Sequence, residues 1–98
     1  MDYKQIAKHL VDIYQDPFGG KPNGRYRISM KHLRQIAGCR RIFQEDITQI
    51  YKEMYQLGYN LIDMESFFVV ISHKTFTHYR RYTDGLSQQK TITDQTPE

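Results

Sequence analysis

Several features that mark secreted, membrane-spanning or disulfide-bonded proteins are missing from this sequence of 98 residues. A lone cysteine, Cys39, excludes an internal disulfide and a cysteine-based zinc site. The longest unbroken apolar run covers only 67–71, whereas a helix that spans a bilayer needs about 18 apolar residues. The first residues form no apolar signal core. We therefore expect one small cytoplasmic domain, which is also what this length allows.

Patterns that support catalysis or cofactor binding are also missing. The four histidines lack the i, i+4 spacing of a helical metal site, and none of them clusters with Cys39. Lys21 follows two glycines but precedes Pro22, so this stretch does not resemble a phosphate-binding loop that opens a helix. We expect no enzyme activity, no metal and no cofactor.

Acidic residues are absent from 17–44, which we call the basic segment. It carries seven cations: Lys21, Arg25, Arg27, Lys31, Arg34, Arg40 and Arg41. The following stretch, 45–65, holds five acids against one lysine, and we call it the acidic segment. A concentrated basic surface attracts a polyanion through the release of counterions. The alternative interpretation is a solvated basic face that keeps the protein in solution.

Apolar periodicity predicts a mixture of helices and short strands. In order, these are helix 2–14, strand 25–28, a short helix between Ser29 and Gly38, helix 43–57, strands 60–64 and 67–71, and a final short helix from Ser72 or His73. Ser29 suits an N-cap, and Gly38 suits the left-handed residue that ends a helix. The stretch 84–98 is polar and aperiodic, which predicts a disordered tail after a domain that covers 1–83.

The same periodicity predicts which side chains face the core. In helix 43–57, five apolar residues repeat at helical spacing and should share one inward face: Phe43, Ile47, Ile50, Met54 and Leu57. Phe76 and Tyr79 should face inward from the final helix. Phe67 and Phe68 are adjacent in a strand and point to opposite faces, so one needs a cover from the final helix or a second subunit. We take this as support for a homodimer.

The tyrosines divide into two predicted groups. Tyr3, Tyr14 and Tyr26 should line the core. Tyr51, Tyr55 and Tyr59 flank the apolar stripe of helix 43–57 and should be partly exposed. Exposed tyrosine is favoured at protein interfaces and also stacks on single-stranded bases. The alternative is that these rings line the edge of a small core with wet hydroxyls.

Three local features, taken in order, resemble the winged helix-turn-helix superfamily over residues 2–72. The first is the run 25–29 leading into a short helix, the second is the Gly38 turn into a longer amphipathic helix, and the third is 57–59, Leu-Gly-Tyr, before a hairpin. The resemblance implies an α+β, winged-helix-like domain with three helices, a short strand and a β-hairpin wing, here extended by a C-terminal helix.

The resemblance also implies DNA binding, with helix 43–57 in the major groove and the wing near the backbone or minor groove. The residues expected to contact DNA are Arg25, Arg27, Lys31, Arg34, Arg40, Arg41, Gln44, Thr48, Gln49 and Lys52. Amide and hydroxyl groups match base edges, so Gln44, Thr48 and Gln49 are the candidate base readers. The arginines and lysines would bind phosphates and position the protein. The expected protein is a dimeric transcriptional regulator that binds double-stranded DNA.

Two features favour a different partner. Glu45 and Asp46 lie in the first turn of the reading helix, where phosphates would be close, and the wing residues 63–66 are acidic with no Lys or Arg. A winged-helix module that binds protein, as an accessory or inhibitory factor of a mobile element, is therefore the alternative. RNA binding is less favoured, because the glycine-aromatic sheet motif is absent.

Overall fold

Three α-helices form where apolar residues repeat at helical spacing. A computed structural model describes residues 1–17, 19–21 and 23–85, and its helices are α1 (Tyr3–Gln15), α2 (Met30–Ala37) and α3 (Gln44–Gln56). Each buries one face and leaves the opposite face to solvent. The helix predictions are therefore confirmed to within a residue or two at each end.

Short polar side chains and glycines set the helix ends. The Asp2 carboxylate accepts a hydrogen bond from the Gln5 N–H (3.1 Å), and the Ser29 hydroxyl accepts one from the His32 N–H (3.1 Å). Gly38 ends α2 with φ at 70°, a left-handed conformation that costs a residue with a Cβ more than it costs glycine. The predicted roles of Ser29 and Gly38 are confirmed.

Three strands form one antiparallel sheet in the order β1-β3-β2: β1 (Tyr26–Ile28), β2 (Tyr59–Asp63) and β3 (Phe68–Ser72). β2 begins one residue before its predicted start, and β3 begins one residue after its predicted start. Gly58, at φ 91°, ends α3 and lets the chain enter β2 at once. Between the strands, Glu65 takes φ 72°, and the hairpin turn occupies Met64–Phe67 rather than two residues.

The core lies where the three helices meet one face of this sheet. Its fully buried side chains come from all these layers: Leu10, Leu33, Ile50, Met54 and Val70. Burying a side chain of this size contributes about 1.5–3 kcal/mol. Phe68 is 3 % exposed and joins this core, while its neighbour Phe67, in the turn before β3, is half-buried and lies against Arg27.

Three exposed side chains and the half-buried Phe76, all predicted to face the core, lie outside it. Phe43 caps α3 at its start with an extended backbone, and Leu57 caps its end just before Gly58 turns the chain; they are 57 % and 51 % exposed. The final helix is a 3₁₀ helix, His73–His78, and Tyr79 follows it at 61 % exposure. The Tyr79 ring packs edge-on against Phe76, with ring centroids 5.3 Å apart, instead of against the core.

The predicted disordered tail, 84–98, lies outside the described residues except for Asp84 and Gly85. Within the described part of the chain, no helix has the length and apolar character to cross a bilayer.

Candidate nucleic-acid interface

Nearly all the residues predicted to contact DNA have solvent-exposed side chains. Arg34 is half-buried, and the other nine are exposed: Arg25, Arg27, Lys31, Arg40, Arg41, Gln44, Thr48, Gln49 and Lys52. They are therefore available to a partner. They come from four elements that are consecutive in the chain: β1 with its approach, α2, the turn after α2, and α3.

The cations of the basic segment have no acidic partner within the domain. Among residues 1–17, 19–21 and 23–85, the one salt bridge joins Lys8 and Asp12 of α1 at 3.6 Å. The arginines and lysines of the basic segment thus carry charge that no carboxylate of the described chain neutralises. When such cations contact the phosphates of a polyanion, the counterions condensed on the polyanion are released, which favours binding.

The turn between α2 and α3 places two arginines directly before α3. Left-handed Gly38 lets the Cys39 N–H donate to the Arg34 carbonyl at 3.1 Å, which reverses the chain at the end of α2. Arg40 and Arg41 follow in this turn, three or four residues before α3 begins. Arg40 and Arg41 thus lie just before the N-terminal end of α3, where the helix dipole favours an anion.

The outward face of α3 carries the candidate base readers. At about 100° per residue, Gln44, Thr48 and Lys52 recur on the side away from the buried Ile47 and Ile50. The Thr48 hydroxyl donates to the Gln44 carbonyl at 3.0 Å, which leaves its oxygen lone pairs as acceptors. This face therefore offers amide, hydroxyl and ammonium groups along one line.

The two acids in the first turn of α3 have different roles. One Asp46 oxygen accepts from the Phe43 N–H (2.9 Å), and the other accepts from the Tyr3 hydroxyl (2.7 Å). The Phe43 bond is half of a capping box, and the Tyr3 bond ties α3 to α1. These bonds lower the pKa of Asp46, while the bond to Asp46 raises the pKa of Tyr3. Glu45 is exposed on the outward face, and no hydrogen bond involving its side chain is seen within the described chain.

The hairpin has a short acidic tip, as expected from the sequence. The Met64 N–H donates to the Phe67 carbonyl (2.9 Å), and Asp63 accepts from the Glu65 N–H (2.8 Å). Met64 and Glu65 are exposed at the tip. The tip itself therefore brings negative charge rather than positive charge to any partner.

Arg27 lies against this hairpin, which the sequence interpretation missed. Its guanidinium carbon is 5.5 Å from the centroid of the Phe67 ring, a cation–π contact. Arg27 reaches the ring because β1 pairs with β3, with Arg27 opposite Val69. The adjacent Phe67 and Phe68 indicated that one phenylalanine needs a cover outside the core. The sequence did not show that β1 pairs with β3 and brings Arg27 to Phe67. Since Phe67 contacts a side chain of its own chain, the support it lent to a homodimer is weakened.

Two exposed tyrosines form a second surface feature on α3, the tyrosine pair Tyr51 and Tyr55. They are 39 % and 55 % exposed, with ring centroids 6.1 Å apart. The Tyr55 ring also lies 4.6 Å from that of His73. Tyr59, predicted to be partly exposed, is half-buried with its ring 5.0 Å from that of Tyr14.

The tyrosines predicted for the core lie at its border. Tyr3, Tyr14 and Tyr26 are all half-buried and pack against the core cluster. The Tyr26 hydroxyl donates to the Leu10 carbonyl at 2.6 Å, and burial raises the pKa of Tyr26. These rings therefore support the elements that present the interface rather than forming part of it.

An open depression of about 410 Å³ lies between α1 and α2, lined in part by Asp2, His9 and Asp12. Over the residues whose positions are described, no three His, Cys, Asp or Glu side chains are grouped so that they could hold a metal ion. The chain matches no family model, no curated protein and no solved structure at a significant level.

Proposed function

We propose that this protein is a winged-helix DNA-binding protein that acts as a dimeric transcriptional regulator. The order α1-β1-α2-α3-β2-β3 supports the winged-helix part of the proposal, because it is the order on which the sequence resemblance rests. In that arrangement α3 would enter the major groove, and the β2-β3 hairpin would be the wing.

The observation that carries the proposal is the unneutralised basic segment that leads into α3. Its seven cations have no salt-bridge partner in the described chain, and all but Arg34 are exposed. Each DNA phosphate contacted by such a cation releases about 0.9 counterions, so a surface of this kind binds duplex DNA with a steep salt dependence.

The residues take different roles in this proposal. Arg40 and Arg41, at the N-terminal end of α3, would bind phosphates and set the helix in the groove. Lys31 and Arg34 on α2 would flank the same groove. Gln44, Thr48 and Gln49 would contact base edges through amide and hydroxyl groups. With base contacts of this kind, each mismatched base pair in the target site should weaken binding by about 1–3 kcal/mol.

Fluorescence anisotropy of a labelled random-sequence duplex, titrated at several salt concentrations, tests the electrostatic part. We expect the slope of log K against log salt to fall by about two when both Arg40 and Arg41 become alanine, because two phosphate contacts are lost. The matched control replaces Lys4 and Lys74, two exposed lysines outside the basic segment, and removes the same charge. Absence of binding at low salt, or an equal effect in the control, would contradict the proposal.

The homodimer is part of the proposal, because major-groove readers commonly bind two half-sites about one helical turn apart. Sedimentation equilibrium of the protein alone and with duplex DNA measures its stoichiometry. A single protomer on every DNA length, from one to three helical turns, would remove this part while leaving DNA binding in place.

The tyrosine pair favours a second candidate function, a protein-binding module. Tyr51 and Tyr55 present exposed aromatic rings on α3, the helix that also carries the exposed Glu45 in its first turn, and tyrosine is enriched in the cores of protein interfaces. Pull-down from a nuclease-treated lysate, followed by Tyr55→Ser and Glu45→Lys variants, separates the two functions. A protein partner that survives nuclease and is lost in both variants, combined with no DNA binding at low salt, would favour this alternative.

A further inference from the structure

We propose that Arg27, oriented by Phe67, supplies the phosphate contact of the hairpin, and that Phe67 is the positioning residue for that contact. This inference rests on the proposed DNA binding and adds a specific part to it. It assigns a role to Phe67, which lies outside the basic segment, and it gives the acidic hairpin a cation with which to approach a DNA backbone.

The strand pairing brings Arg27 to the hairpin. Arg27 is the middle residue of β1 and lies opposite Val69 of β3. Its neighbours in β1, Tyr26 and Ile28, point to the core side, so Arg27 points to the other face of the sheet. Phe67 directly precedes β3, and its contact with Arg27 places its ring on that outer side.

The contact with Phe67 leaves Arg27 available to a ligand. Arg27 is exposed although its guanidinium carbon lies 5.5 Å from the Phe67 ring centroid. A cation–π contact uses none of the hydrogen bonds to oxygen that a guanidinium can make, so a phosphate can still accept from two of its N–H groups. The ring therefore restricts where the arginine points without consuming its hydrogen-bond donors.

The charges around the hairpin leave Arg27 as its cation. The tip residues Asp63 and Glu65 are acidic, and the Asp63 carboxylate is engaged by the Glu65 N–H. No carboxylate lies within 4.0 Å of the Arg27 guanidinium in the described part of the chain. A phosphate that approaches the turn end of the hairpin beside Phe67 would thus meet Arg27, whose positive charge offsets the negative charge of the neighbouring acids.

A double-mutant cycle on duplex binding tests this assignment. Arg27→Ala should reduce the salt slope by about 0.9, which corresponds to about eightfold weaker binding at 0.1 M salt. Phe67→Leu keeps apolar bulk without the ring and should weaken binding about two- to fivefold, the range of an exposed cation–π contact. In the Arg27→Ala background, Phe67→Leu should have no further effect.

The matched control is Arg25, which is also exposed and lies just before β1. In an Arg25→Ala background, Phe67→Leu should still weaken binding two- to fivefold. Equal effects of Phe67→Leu in the Arg27→Ala and Arg25→Ala backgrounds would overturn the inference, because the ring would then act through general stability. Arg27→Lys, which keeps the charge but loses the flat guanidinium, should restore the slope and only part of the affinity.

A measurement on the free protein keeps the test independent of how well the variants fold. The δ-protons of Arg27 should show an upfield ring-current shift in the NMR spectrum, and Phe67→Tyr should preserve it.

If wild-type protein binds DNA and Arg40 and Arg41 matter while Arg27→Ala changes neither slope nor affinity, the inference is wrong and the proposed function stands. If wild-type protein does not bind duplex DNA at low salt, the proposed function itself fails.

Discussion

The basic and acidic segments are neighbours in the chain, yet their charges are used differently. The cations of the basic segment form no salt bridge in the described residues. In the acidic segment, Asp46 joins α3 to α1 and Asp63 shapes the hairpin turn. Charges that hold the fold together are fixed by their partners, whereas charges with no intrachain partner remain available for a ligand. Within this small domain, Asp46 and Asp63 are therefore structural charges, whereas the cations of the basic segment are candidate binding charges.

The largest expected effect concerns the core that both segments share. Met54 is fully buried on α3, and Met54→Ala should lower the free energy of unfolding by about 2–5 kcal/mol through lost contacts and a cavity. Urea unfolding followed by circular dichroism measures this loss. Because the core supports both segments, DNA affinity per folded molecule should stay unchanged. A loss below 1 kcal/mol would mean that α3 packs more loosely than its burial indicates.

A smaller loss of stability is expected when the N-cap of α2, which lies in the basic segment, is removed. Ser29→Ala removes the hydroxyl that accepts the His32 N–H and should lower the free energy of unfolding by about 1 kcal/mol. Thermal unfolding measures the change, with Ser66→Ala on the exposed hairpin tip as the control. Equal shifts in both variants would show that the cap contributes nothing of its own.

The contribution of Asp46 to stability should depend on pH. Folding lowers the pKa of Asp46 below its ordinary value of 3.8, mainly through the Phe43 N–H and the Tyr3 hydroxyl. The stability that this carboxylate contributes is therefore complete above that value and is lost as the pH falls through the folded pKa. We expect Asp46→Asn to lower the unfolding midpoint at pH 7 and to flatten the decline in acid. A decline as steep as that of the wild-type protein would contradict this role.

The smallest change in stability is expected from a substitution of Glu45, the neighbour of Asp46 in the chain. Glu45→Gln removes the same charge as Asp46→Asn but from a side chain exposed on the outward face of α3. It should leave the unfolding midpoint unchanged, as surface substitutions usually do. Duplex affinity should rise about fivefold, since two like charges about 4 Å apart in water repel by about 1 kcal/mol. Unchanged affinity would indicate that α3 does not approach the phosphates.

Local patterns were sufficient to predict much of this fold. Helical periodicity located α1, α2 and α3, and Ser29 and Gly38 marked the ends of α2, because caps and periodicity depend on residues a few positions apart. The order of the elements followed from the same local signals. Periodicity failed at Phe43, where the backbone is already extended, and at Leu57, the last residue before Gly58 turns the chain away from α3.

The contacts that give individual charges their roles came only from the assembled domain. Tyr3 and Asp46 are separated by 43 positions, and Arg27 meets Phe67 because β1 adds to the far strand of a hairpin that forms later in the chain. Nothing in the spacing of these residues encodes such meetings, because they depend on how the helices pack and which strands pair. A single sequence could therefore show where charge is concentrated, while packing decided which charges are already engaged.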